Sequence, residues 1–195
     1  TLIHEVVEEE DFLEPGTTVL VQCEEGENEF DEDFLKKFSI VLVRAEDPEA
    51  LSEMFWKRIE RDYSPAQVLI EYNGMWDLEK LFNENVPQDW YAGGVYSTVN
   101  AETAEIYMNN MRKTFMEPLK ASNLIIFNRC DEDIDRMKFR RAIKVLNPQA
   151  QLAFERKDGK MFENEMDVMP FDYSGQTVDI DDMDYGLWYL DAMEH

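Results

Sequence analysis

The sequence predicts an α/β fold, a mostly parallel sheet with helices on both faces, stacked as three layers. Three observations carry this. From residue 17 to 154, short runs of β-branched and aliphatic residues alternate with segments of helical periodicity. The strand-like runs are apolar throughout instead of alternating polar and apolar, so both of their faces are buried. The chain has 195 residues, 44% of them apolar and 12% aromatic, which suffices for a real core.

In chain order, residues 1–11 carry apolar positions at Leu2, Ile3, Val6 and Val7, the spacing of a helix. Pro15-Gly16 breaks it, and 17–23 (TTVLVQC) reads as the first strand. CEEGENEF follows as an acidic loop, and 39–44 (SIVLVR) is the second strand. Asp47-Pro48 offers a cap and a first-turn proline for a helix running to about Arg61. The third strand is 67–71 (QVLIE), and a short helix covers 77–83. The fourth strand is 93–99 (GGVYSTV), after which Asn100 caps a helix over 102–118. The fifth strand is 123–127 (NLIIF). Asp131 or Asp133 opens a helix to about Val145, which Asn147-Pro148 stops before a sixth strand at 150–154. Residues 161–195 hold ten acidic side chains and no Lys or Arg, an acidic tail or linker in which GLWYLDAME fits a short terminal helix.

Charge narrows the function classes. Asp plus Glu number 43 against 19 Lys plus Arg, a formal charge of −24. Such a surface repels phosphate backbones, which argues against nucleic-acid binding but leaves room for one small anion held by backbone amides. No apolar run approaches the roughly 20 residues that cross a bilayer, and no signal peptide is recognisable, so no membrane partner is expected. Cys23 and Cys130 form no CxxC pair, which fits a reduced cytoplasm. The chain does not begin with Met and reads as a piece of something longer.

In open parallel sheets ligands bind at the carboxyl ends of the strands. There the sequence places Cys23-Glu24-Glu25-Gly26-Glu27, Glu71 with Gly74, Asn100, and Asn128-Arg129-Cys130-Asp131. Each alone is also what a cap or a turn requires. Together they suggest a site. A guanine ring offers two N–H groups on one edge, suited to a carboxylate, and two acceptors on another, suited to an amide. Asn128-x-x-Asp131 after a strand supplies both, and the stem of Arg129 can cover the ring face. A carboxylate closing a buried strand, such as Glu71, suits a magnesium ion that keeps most of its waters. Gly74 would let backbone approach a terminal phosphate.

With these motifs in view, the chain resembles the CobW/HypB/UreG-type GTPases, in particular the CobW-like branch. That family uses Glu-x-x-Gly where most GTPases have Asp-x-x-Gly, matched by Glu71 and Gly74. Its Asn-Lys-x-Asp is matched by Asn128 and Asp131, with Arg129 in place of Lys. CEEGE is similar to its Asn-Glu-Phe-Gly-Glu segment, GGVYSTVNAET to its GVVTVVDA strand with Asn100 for Asp, and LNPQAQL to its LNP-x-A segment. The resemblance covers about residues 1–155. It implies a P-loop NTPase-like three-layer sandwich over residues 1–160 that binds GTP or GDP with Mg²⁺. Glu71 would stand on the magnesium side as the metal-associated acid, with Gly74 at the γ-phosphate. Asn128, Arg129 and Asp131 would sit at the base, and Glu24 in a switch-like segment. It further implies metal-centre or cobalamin-related metal handling, with a client metalloprotein or metal as partner, and a homodimer by analogy alone.

Two departures stand against the pattern. No GxxxxGK[ST] occurs, but Thr1-Leu2-Ile3-His4 looks like the continuation of the family's Gly-Lys-Thr-Thr-Leu. The first strand and phosphate loop are therefore expected upstream, with Thr1 as the motif's second Thr; a chain lacking them would turn over poorly. The family's Cys-x-Cys-Cys motif is absent, and Cys23 and Cys130 read as small buried hydrophobes. The rival reading is a catalytically inactive α/β interaction domain that keeps the GTPase fold. A flavodoxin-like regulatory domain is a third.

Overall fold

The computed structural model describes residues 2–9, 11–24, 30–83, 86–87, 89–110 and 112–162. The order of elements is α1 (Leu2–Glu8), β1 (Thr18–Gln22), α2 (Glu32–Lys37), β2 (Ile40–Arg44), a 3₁₀ turn at Pro48–Ala50, α3 (Glu53–Tyr63), β3 (Gln67–Glu71) and α4 (Leu78–Asn83). Then come β4 (Tyr96–Asn100), α5 (Ala101–Asn110), α6 (Arg112–Ala121), β5 (Leu124–Cys130), α7 (Arg136–Leu146) and β6 (Gln151–Arg156). Every ladder between these strands is parallel. They form two three-stranded sheets, ordered β2-β1-β3 and β4-β5-β6. The mostly parallel arrangement expected from the sequence is present as two three-stranded sheets, in which β3 and β4 each pair on one edge only among the described residues.

Burial follows that topology. Central β1 is buried along its whole length, whereas β3, just as apolar, is half-buried at every position because one of its edges carries no neighbour among the described residues. Alternate residues of β1 feed two cores. Val19, Val21 and Cys23 meet Phe55, Trp56 and Ile59 of α3, while Leu20 meets Val6 and Val7 of α1 and Phe30 beside α2. The second half packs Ile125, Phe127, Leu152 and Phe154 against Ala104, Leu119, Phe139 and Ile143 of α5, α6 and α7. Its other face, with Leu124, Ile126 and Ala153, is met by Leu2, Tyr96 and Met161. Leu2 also packs in the α1–β1 core, so the start of α1 touches both halves.

Local chemistry explains where the elements depart from expectation. Asp47 accepts the Ala50 N–H at 2.8 Å but caps only the 3₁₀ turn, and Ser52 caps α3. Helix α2 lies between the expected acidic loop and the second strand, in residues to which the sequence reading gives no element. Asp31 caps it by accepting the Phe34 N–H at 2.7 Å, and Phe30, Phe34 and Phe38 recur at four-residue spacing. The helix expected over 102–118 is two helices. The Asn110 amide bonds back to the Ile106 carbonyl at 2.9 Å, competing with the helix ladder at the end of α5. Strand β4 begins three residues later than the reading from 93, past the poor strand formers Gly93-Gly94. Asp135, not Asp131 or Asp133, caps α7, accepting the Lys138 N–H at 3.0 Å. The helix expected in GLWYLDAME lies outside the described residues.

Candidate functional site

Parallel register aligns residues at the carboxyl ends of the strands, most of them polar. Arg44, Gln22 and Glu71 stand abreast across β2-β1-β3. Asn100 faces Asn128, and Cys130 faces Arg156, across β4-β5-β6. The first row is hydrogen-bonded. The Arg44 guanidinium donates to Gln22 Oε1 at 3.3 Å, and Gln22 Nε2 donates to Glu71 Oε2 at 3.2 Å. Glu71 also anchors the chain, its carbonyl accepting the Cys23 N–H at 2.9 Å.

The Glu71 carboxylate is half-buried and poorly compensated. Burial raises its pKa above the ordinary 4.5, the Gln22 hydrogen bond pulls the other way, and the charge of Glu24 adds to the rise. A cation beside Glu71 would relieve both burial and repulsion. Gly74 follows in a turn built by its neighbours: Asn73 Oδ1 accepts the Met75 N–H at 2.9 Å, and the Tyr72 hydroxyl donates to the Asp77 carbonyl at 2.7 Å. Gly74 needs neither a positive φ nor a crowded contact, since a Cβ there would meet nothing within 4 Å. Its backbone is open to approach. Met75 is exposed, whereas Trp76 is half-buried in an edge-on contact with Tyr72.

At the end of β5 a register shift between Phe127 and Cys130 makes a bulge, with Arg129 at φ 57° in the left-handed region. The bulge sends the flanking polar residues different ways. Asn128 lines a cavity of about 170 Å³ shared with Leu2 and Glu5 of α1, Thr98 and Glu155. Its Oδ1 is buried without a hydrogen-bond partner. Glu155 in the same cavity has a raised pKa, from burial first and the Glu5 charge second. Asp131 lines a second cavity of about 220 Å³, with Cys130, Glu132, Arg156, Lys157 and Asp158. Asn128 and Asp131 therefore do not share one cavity. Both oxygens of Asp131 accept from the Lys157 ammonium, at 2.8 and 2.9 Å, and Lys157 also meets Glu102 at 2.6 Å. Asp131 and then Glu102 hold that ammonium above its ordinary pKa. Arg129 is exposed. Glu24 is exposed at the end of β1; Thr1, Glu25, Gly26 and Glu27 lie outside the described residues.

Two residues of this edge escape a motif search, Gln22 and Lys157. The signal for Gln22 is its position as the last residue of a strand beside Glu71. Lys157 follows the last strand directly, level with the end of β5. The cysteines are buried, which pushes the Cys23 thiol up to about 12 and Cys130 to about 11. Among the described residues no group of three His, Cys, Asp or Glu side chains is placed to hold a metal ion, and no helix is long and apolar enough to cross a membrane.

No family model matches the chain, and no curated protein matches it. Solved structures do. The Zn(II)-bound YjiA GTPase from E. coli aligns with a TM-score of 0.56 at 16% identity, over 85% of this chain and 55% of that one. A Zn(II)-bound triple mutant of YjiA GTPase aligns with the same TM-score, identity and coverage. The chain thus spans a little over half the length of these structures. At this identity the likeness is one of fold: two parallel three-stranded sheets flanked by helices.

Proposed function

We propose that residues 1–160 are the guanine-nucleotide domain of a GTP-hydrolysing protein of CobW-like type, and that 161–195 are an acidic tail or linker. The carrying observation is the half-buried Glu71 carboxylate at the end of β3. It is short of positive charge, and the open backbone of Gly74 follows it. The fold shared with a GTPase over 85% of the chain supports the reading. So does the orphaned Asn128 Oδ1, which faces the start of α1, where a phosphate loop leading into that helix would offer backbone N–H groups.

On this reading Gln22 orients Glu71, and Glu71 holds Mg²⁺ through water. When bound, the ion neutralises phosphate charge. Gly74 admits the γ-phosphate, Glu24 belongs to a segment that responds to it, and Asn128, Arg129 and Asp131 meet the base. Catalysis is then positioning and electrostatics with no covalent nucleophile. Metal handling for a client metalloprotein and homodimer formation extend the proposal by family likeness.

The test is GTP turnover by the full-length protein with and without Mg²⁺. The expected result is magnesium-dependent turnover that Glu71→Ala abolishes while nucleotide binding persists. Turnover indifferent to Mg²⁺ or to Glu71→Ala would refute the assignment.

A further inference from the structure

Asp131 already holds a cation on the two oxygens that a base would use. A bidentate contact with two N–H groups needs both carboxylate oxygens, and both already accept from one ammonium, Lys157 Nζ, at 2.8 and 2.9 Å. The same ammonium lies 2.6 Å from Glu102 Oε1, so Lys157 has a second acceptor at hand. Glu102 is held in place at the start of α5, where its N–H donates to Asn100 Oδ1 at 3.0 Å. All three side chains are about half exposed, so the ion pairs can exchange partners at low cost.

We propose that Lys157 is a displaceable latch on Asp131, with Glu102 as the acceptor that keeps the ammonium when Asp131 turns to a ligand. This rests on the reading of Asp131 as the base-reading carboxylate and adds a positioning residue to it. Lys157 competes with the N–H edge of a purine for the same two oxygens. Base affinity is set by the difference between the two contacts. Glu102 lowers the cost of release because the ammonium never loses its last partner.

The experiment measures guanosine and adenosine binding to the 195-residue chain by NMR titration into the millimolar range; nucleosides remove the phosphate contribution. Lys157→Met keeps the aliphatic stem and removes the charge. It is expected to tighten guanosine by about three-fold or more, the scale of an exposed ion pair in a small network, with adenosine unchanged. Glu102→Gln is expected to weaken guanosine relative to adenosine, because a neutral amide oxygen holds the ammonium less strongly than the carboxylate and leaves it more firmly on Asp131. Lys157→Arg should restore the wild-type ratio. A Lys157→Met chain with unchanged or weaker guanosine binding, beside a wild type that prefers guanosine, overturns the latch and leaves the base-reading role standing. A wild type and a Lys157→Met chain that both fail to distinguish the nucleosides overturn the base-reading role and the latch with it. Guanosine binding that emerges only in Lys157→Met supports both.

Discussion

Asn147 should be one of the most costly single side chains to remove. It is buried between α7 and β6, and its amide nitrogen lies 3.0, 2.9 and 2.9 Å from the carbonyls of Leu119, Lys120 and Ser122. Two N–H groups thus serve three carbonyls at the end of α6. Its Oδ1 accepts the Ala150 N–H at 3.0 Å, fixing the entry to β6. Asn147→Ala removes the bonds of two N–H groups and one oxygen, each worth about 1 kcal/mol net, and leaves buried backbone groups unpaired at a further cost of about 1 kcal/mol. Allowing for water at the half-buried Lys120 carbonyl, the loss is about 3–4 kcal/mol. That is a large part of the 5–15 kcal/mol or so that holds a domain together. In urea, with a slope of about 2 kcal/mol/M, the midpoint should fall by roughly 1.5–2 M at constant slope. Asn147→Asp keeps the acceptor for Ala150 but points a second oxygen at three carbonyls, so it should cost at least as much. A midpoint shift for Asn147→Ala below about 0.5 M at unchanged slope would show that the hub reasoning is wrong.

Other outcomes follow from the same contacts. Because the folded pKa of Glu71 lies above the unfolded value, the folded state binds the extra proton, and stability falls as pH rises through the range above 4.5. Glu71→Gln should flatten that slope and stabilise the chain near pH 7, with the gain vanishing below about pH 4.5, as pH-dependent urea midpoints would show; a variant less stable at pH 7 would contradict the desolvation argument. Gly16 has φ +140°, and a Cβ there would lie 2.8 Å from Ala66 Cβ, so Gly16→Ala should cost about 1–3 kcal/mol in thermal unfolding. With burial pushing its pKa to about 12, Cys23 should resist thiol reagents near pH 8 until the chain unfolds; labelling at the rate of a free thiol would contradict its burial.

The alternation of apolar strands with helices is legible because both faces of each strand must be covered, which leaves no polar period in TVLVQ or LIIF. What composition does not encode is the pairing of edges. Val68-Leu69-Ile70 reads as a buried strand, yet β3 is half-buried and paired on one side only among the described residues, and the strands form two sheets. Caps decided by side-chain geometry are equally hard to place. Asp47 and Asp131 are as good on paper as Ser52 and Asp135, and only the bulge that carries β5 through Cys130 moves the start of α7 to Arg136. At the site, the strand-end position of Glu71 can be read directly. The separation of Asn128 from Asp131 cannot, because a four-residue motif does not reveal a left-handed Arg129 in its middle. Nor can the partners Gln22 and Lys157, which meet Glu71 and Asp131 only through register and folding.

If this edge reads guanine, calorimetry will show it as a preference between nucleotides. GDP and ADP are titrated, each with Mg²⁺, into the full-length protein and its Asp131→Ala variant. A charged hydrogen-bonded pair is worth about 1.5–3 kcal/mol, so GDP should bind roughly ten- to a hundred-fold more tightly than ADP, and Asp131→Ala should erase the difference. Equal affinity for the two nucleotides, or binding of neither, would contradict it.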